Sequence, residues 1–499
     1  MDSAVYHRIH PLTILVEAVR FFGKFAYVIV IILITRSTKS GSGDFLEIGL
    51  AALGGLSILA AVLRYYFTVY SLDSQKMVLK TGLIYRQTRT IPLDRIQNVE
   101  LSRGILHQML DLADLKIETA GGTQAEAHLS ALSVAEAQRL KDFLQRARPV
   151  DARAEGMAPF RTIYAASMKD LLIMGATENR IFLILAALSA PILFAQQMGR
   201  EDLLESMGKS AVEGARGLGE NLPYIAVYAA IAVVIFGWIA SIVSTIIKYN
   251  GFVLRSIDDQ FERKYGMLTT VESIVPLPRI QTLCIEAPFI RRLLGYCTIH
   301  AGLAGSMQVQ NQQATTATSI LCMLVRRKDA SGYVRRVFPH LNLDDVQWQP
   351  VSRVAIRRGA FGLALPLLLM LTAWTIYSGD PRWWLVALPI VVLSAWYGLA
   401  RYRSMGYATT EDCFLTRSGI LYHKIHIAPH GKLQWLAVDQ NPIQRRYRIA
   451  DVNVGTAAVI GIQLGRPSVS DVELDKAVAL QDYLSARAEA AGMWMPDGV

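Results

Sequence analysis

With 499 residues, 52% of them hydrophobic and only 18% charged, the chain is too apolar for an ordinary soluble enzyme, and its length allows three or four domains. The net charge of +10 points to an anionic partner, but basic and aromatic residues are not interleaved as nucleic-acid recognition requires, so no nucleic acid is expected. Cys284, Cys297, Cys322 and Cys413 lack metal-ligand spacing and read as small core residues, with no disulfide, metal or cofactor implied.

The first predicted element is an amphipathic interfacial run over Leu12 to Lys24, with Glu17, Arg20 and Lys24 opposite Leu12, Leu15, Val16 and Val19. It feeds an apolar span, Phe21 to Thr35, which pairs with Leu46 to Leu63 across the loop Arg36 to Phe45. Ile181 to Ala195 pairs likewise with Leu222 to Ile247, and Gly359 to Tyr377 with Trp383 to Ala400. The four longer spans, all but Phe21 to Thr35 and Ile181 to Ala195, run near the about 20 residues that cross a bilayer as a helix. Tyr164 to Arg180 and Val351 to Arg358 precede the second and third hairpins as the Leu12 run precedes the first.

The outer loops Arg36 to Phe45, Gly199 to Asn221 and Ser378 to Arg382 carry charges of +1, −2 and 0, while Arg64, Lys248, Arg353, Arg357, Arg358, Arg401 and Arg403 crowd the opposite ends. The positive-inside rule then puts both termini and every long segment in the cytoplasm. No cleavable leader is expected, because no small-residue cleavage motif follows the first apolar run.

A repeat follows each hairpin. Counting from Gly82, Gly266 and Gly419, a proline falls ten residues on (Pro92, Pro276, Pro429), a base thirteen on (Arg95, Arg279, Lys432) and a glutamine fifteen on (Gln97, Gln281, Gln434). Short strands broken by turn residues, Tyr66 to Leu72 and Lys76 to Leu79 about Asp73-Ser74 and Ile84 to Ile91 after Gly82, read as antiparallel β-structure, and Val134, Ala137, Leu140 and Leu144 form the stripe of a closing helix. Val472 to Leu484 repeats that helix, whereas the second copy carries no clean stripe after the strand Thr318 to Val325. The duplicated unit is therefore hairpin plus domain, three times over.

The pattern resembles the bacterial pleckstrin-homology-like (PH-like) membrane proteins of the YdbT type, whose smaller YdbS-like relatives carry one hairpin and one domain. The likeness rests on His10-Pro11, on the Gly to Pro-x-x-Arg/Lys-Ile/Leu-Gln block, and on Arg292-Leu-Leu-Gly-Tyr296, for which the third copy has Arg446-Tyr447-Arg448. The resemblance implies PH-like folds in a plasma (inner) membrane protein, a context in envelope stress or antimicrobial resistance, and no catalytic residue.

The expected fold is an α+β membrane protein of six transmembrane helices in three hairpins, each followed by a small antiparallel-β PH-like domain with a C-terminal helix. The boundaries are 1–63 for the N-terminal segment and first hairpin, 64–150 for the first domain, 160–247 and 248–345 for the second pair, and 351–400 and 401–488 for the third.

Enzyme chemistry finds little support, since His423 and His426 fall on opposite faces of a strand and His430 is not shared by the other copies. Lys80, Arg86, Arg89, Arg95, Arg279, Arg291, Arg292 and Lys432 are the candidate lipid or partner contacts, with Arg417 and Lys424 echoing the patch around Gly82. The leading expectation is a non-catalytic scaffold binding membrane lipids and a protein partner, a smaller paralogue among the candidates. The alternative is transport or lipid handling through the six-helix bundle.

Overall fold

The computed structural model describes residues 6–19, 54–55, 58–59, 61–73, 75–82, 86–93, 96–119, 127–146, 161–178, 222–257, 260–304, 320–458 and 465–491. The expected spans 21–35 and 181–195, most of 46–63, and Arg95 lie outside them.

Each module has two antiparallel strand groups and a closing helix. In the first, β1 (Tyr6–Arg8), β2 (Val69–Leu72), β3 (Lys76–Thr81) and β4 (Gln87–Pro92) precede β5 (Ile96–Arg103), the short helix α1 (Ile105–Met109), β6 (Leu112–Thr119), β7 (Ala127–Ser133) and the closing helix α2 (Val134–Arg146). The second opens with β8 (Arg161–Ala165), α3 (Met168–Thr177) and α4 (Leu222–Tyr249). It continues through β9 (Val253–Ile257), β10 (Gln260–Tyr265), β11 (Thr270–Pro276), β12 (Ile280–Pro288), α5 (Phe289–Leu293), β13 (Tyr296–Leu303), β14 (Ile320–Arg326) and α6 (Ala330–Val337). The third comprises α7 (Val354–Ser378), α8 (Ala387–Ser404), β15 (Gly406–Thr409), β16 (Cys413–Ser418), β17 (Tyr422–Pro429), β18 (Leu433–Asp439), α9 (Pro442–Arg446), β19 (Ile449–Thr456), β20 (Ser468–Glu473) and α10 (Leu474–Ala490).

Local sequence explains these elements. On β3, Met77 and Leu79 alternate inward, and on α2 Ala137, Leu140 and Leu144 bury the predicted stripe against the strands. The turn glycines take φ of 99°, 109° and 94° at Gly82, Gly266 and Gly419, and a Cβ at Gly419 would collide with the Tyr422 carbonyl oxygen. The shared proline precedes a 3-10 turn, Leu277–Arg279 in the second module and His430–Lys432 in the third, where its fixed φ starts the corner.

The sheets run across module boundaries. One orders its strands β7-β6-β5-β11-β10-β9-β8, and another β14-β13-β12-β17-β16-β15. Upstream strands β5 and β12 thus complete the sheets of the next modules, leaving β1-β2-β3-β4 and β18-β19-β20 at the two ends. One consequence is that β12 and β13 are buried along nearly their whole length.

Among the described residues three helices are long and apolar enough to cross a membrane: Ile231–Tyr249, Val354–Ser378 and Pro381–Ser404, the last including the 3-10 turn before α8. Gly359 of α7 and Gly398 of α8 meet at the crossing, where a Cβ on Gly398 would strike the Ile356 carbonyl oxygen.

Two local expectations shift. Tyr164 to Arg180 is not one amphipathic run: Tyr164 lies on β8, and α3 starts only after Ser167, whose side chain forms a capping box with Asp170. Tyr66 and Phe67, expected on a strand, continue a helix over 61–67, with β2 beginning at Val69. The second module closes on α6, eight residues long, in place of a full helix.

Candidate functional site

The expected basic contacts divide by burial. Arg279 is 8% exposed and donates to the Ala304 carbonyl at 2.6 Å, so it ties its own corner together. Arg291, 3% exposed, donates to Thr177 Oγ1 at 3.1 Å and to Thr298 Oγ1 at 2.6 Å, which docks α5 against α3. Neither guanidinium faces outward. Burial lowers the Arg291 pKa, with Glu178 and Glu286 acting against it.

The remaining candidates are more open. Lys80 stands 4.2 Å above the Tyr6 ring, Arg86 is exposed, and Arg89 is exposed on β4 with a 3.2 Å bond to Gln87 Oε1. Arg292 is half-buried near Phe289, and Lys432 reaches across to the Pro278 carbonyl of the second module at 3.3 Å. Arg95 lies outside the described residues. The structure does not gather these side chains into one site.

A different cavity does gather cations. About 320 Å³ in volume, it lies between the last turns of α8 and the β16–β17 turn, lined by Tyr397, Arg401, Met405, Arg417, the backbone of Gly419 and three serines, Ser418, Ser468 and Ser470. No carboxylate lines it. Arg417 packs its guanidinium 4.9 Å from the Trp348 ring centroid, and its buried Nε has no hydrogen-bond partner. Burial holds its pKa below the usual arginine value. A half-buried guanidinium with an unpartnered donor, beside hydroxyls and a glycine turn, is the chemistry that receives a phosphate.

Arg417 stands two residues before the turn glycine, as Lys80 and Lys264 do, so this position is basic in all three copies. In the second module Lys264 is taken by Glu272. There the glycine turn also closes onto its helix, with Gly266 and Met267 donating to the carbonyls of Asn250 and Ile247 at 2.8 and 3.0 Å.

Beside Ser470 of the cavity lining, Asp471 is fully buried on β20 at a φ of 62°. Its carboxylate meets Arg358 at the start of α7, and Arg401 near the end of α8 at 3.8 Å. Both ends of the third hairpin are thus locked to the third domain by one acid. Sequence reasoning missed Asp471, since the first module has Ala131 at the matching bend (φ 52°) and the repeat carries no signal for an acid there.

A second cavity, about 590 Å³, lies under Val16 and contains His107 and His128 at 3.0 and 3.8 Å from the two oxygens of Asp114. Asp114 also accepts from the Ala131 amide at 2.9 Å, which makes this cluster a brace between β6 and β7. The histidines of the third module disperse. His426 sits 3.9 Å from Cys284 Sγ, His430 packs edge-on to Tyr483, and burial with Arg327, Arg292 and Arg417 nearby pushes His423 down to about 4.

Fold and site together define a tandem of three small antiparallel-β domains linked through shared sheets, with the third clamped to an apolar helical hairpin. The chain belongs to the bacterial PH domain family, whose model matches residues 13–148, 210–331 and 352–488. It is 25% identical over 466 residues to the UPF0699 transmembrane protein YdbT of Bacillus subtilis strain 168, covering 88% of this chain and 90% of that one. No solved structure matches it.

Proposed function

We propose that the chain is a multi-pass inner-membrane protein, both termini cytoplasmic, that acts as a non-catalytic scaffold: its three PH domains form one continuous array for protein partners, and the third holds an anionic phospholipid headgroup. Support for the membrane comes from the three long apolar helices and from the transmembrane relative. The headgroup reading is carried by one observation: Arg417, whose Nε has no hydrogen-bond partner among the described residues, lines a cavity beside the last turns of α8 that no described carboxylate lines. Seated there, a phosphate would accept from Arg417 and the serine hydroxyls at the depth where headgroups lie. Of the remaining cations, Lys80 and Arg89 lie on the first sheet, Arg86 just before β4 and Arg292 on α5, where each would add about 1 kcal/mol of attraction to an anionic leaflet.

The test is mass spectrometry of lipids retained by the full chain purified in mild detergent, wild type against Arg417→Gln. Anionic phospholipid should co-purify with the wild type and drop severalfold in the variant while melting temperatures stay matched. Equal retention would remove the headgroup role.

A further inference from the structure

The two seams between modules are the same seam. In the first, β5 pairs antiparallel with β11, matching Glu100 to Ser273, Leu101 to Glu272, Ser102 to Val271 and Arg103 to Thr270. In the second, β12 pairs with β17, matching Cys284 to His426, Ile285 to Ile425, Glu286 to Lys424 and Ala287 to His423. Counted from each module's turn glycine, residue eighteen of the upstream copy faces residue seven of the downstream copy in both, and nineteen faces six. The facing side chains have almost nothing in common, so the register belongs to the module's backbone shape and not to a chosen pair of residues.

Two edges of this kind are left over. Among the described residues, β4 at one end of the array has only β3 beside it, and β18 at the other has only β19. Thr88, Arg89 and Thr90 of β4 are exposed, whereas Ser273, Ile274, His426 and Ile427 at the equivalent places are buried beneath an upstream module. On β18, Gln434 is exposed and Trp435 is 38% exposed, where β12 buries Gln281 and Thr282. An open strand edge invites a strand.

We propose that β18 of one chain pairs antiparallel with β4 of a second copy in the register of the internal seams. This sets Leu436 opposite Thr90, Ala437 opposite Arg89, Val438 opposite Thr88, Asp439 opposite Gln87 and Gln440 opposite Arg86. Charge agrees with this partner: β4 and its approach bring Arg86 and Arg89, while β18 carries Asp439 and no base. The internal seam has the same polarity, with Glu286 on the upstream strand 3.9 Å from Lys424 on the downstream one. Polar side chains on β4 keep the junction reversible, where the internal ones are sealed by Ile274 and Ile427. The contact joins unlike surfaces, so it repeats head to tail into a ring or a row of arrays on one membrane face. The inference extends the scaffold reading and depends on it only in placing the chains in a common membrane.

Thr88→Cys and Val438→Cys test it in full-length chain reconstituted in vesicles, where the native cysteines are buried. Mild oxidation of the double variant should give a ladder of dimers and higher oligomers, and a mixture of the two single variants should stop at dimers. Moving one cysteine by a residue, to Ala437, should cut the yield several-fold because that side chain points to the other face. Monomer alone, cross-links within one chain, or equal yield at Ala437 would overturn the proposal. Light scattering on the uncross-linked chain gives the second reading: more than one copy per particle supports it, and a reduced mass for Asp439→Arg identifies the contact. A strict monomer that still retains anionic lipid would sink the assembly and leave the headgroup site. A full ladder without retained lipid would do the reverse.

Discussion

Arg448 sits in the left-handed region at φ 51°, in the position held by Gly295 (φ 78°) in the second module and Asp111 (φ 52°) in the first. Each ends the short helix after β5, β12 or β18, and the chain must reverse there whatever residue it has. A side chain in that conformation costs about 1 kcal/mol, and the exposed Arg448–Asp475 pair returns little of it. Arg448→Gly should therefore raise stability by about 1 kcal/mol, read as a higher urea midpoint at unchanged slope, and an unchanged or lower midpoint would refute the strain. At this scale the repeat was legible as frame: the glycines and prolines recur because the backbone demands them. The candidate cavity was not, because Arg417 shares its repeat position with Lys80 and Lys264, and Trp348 and Ser468 come to it from distant parts of the chain.

Among elements, the third hairpin, the closing helices of the first and third modules and the strands follow from local periodicity, and the predicted apolar stripe of α2 is the one that packs. Edge partners do not follow, since the backbone pairing of β5 with β11 leaves no mark in either strand's pattern. Side chains around that seam then specialise. Lys141 of α2 reaches Glu262 and Glu272 of the next module at 3.2 Å each, both acids largely buried. Burial works to raise the Glu272 pKa, but the Lys264 bond and the Lys141 charge outweigh it and hold the carboxyl below its ordinary range. Lys141→Met should destabilise the first seam by about 3 kcal/mol, since two acids lose their shared cation. Hydrogen exchange at β5 and β11 should speed up while the β12–β17 seam stays protected. Uniform loosening of both seams would argue against this local role.

For the whole molecule, composition and the spacing of apolar spans pointed to hairpins before any fold was known, and the described helices agree for α4, α7 and α8. What pattern alone could not give was continuity: three domains read as beads are joined by two seams of one register into a single array whose ends stay open. Such an array would keep docking surfaces at fixed spacing along a membrane, which is the physical content of the scaffold proposal. All of this requires the three domains to share one side. Reporter fusions or labelled cysteines at Ser40, Gln145, Gly208, Lys328 and the C-terminus test that most directly. The account places Gln145, Lys328 and the C-terminus in the cytoplasm and Ser40 and Gly208 outside, and finding Gln145 or Lys328 on the outer side would contradict it.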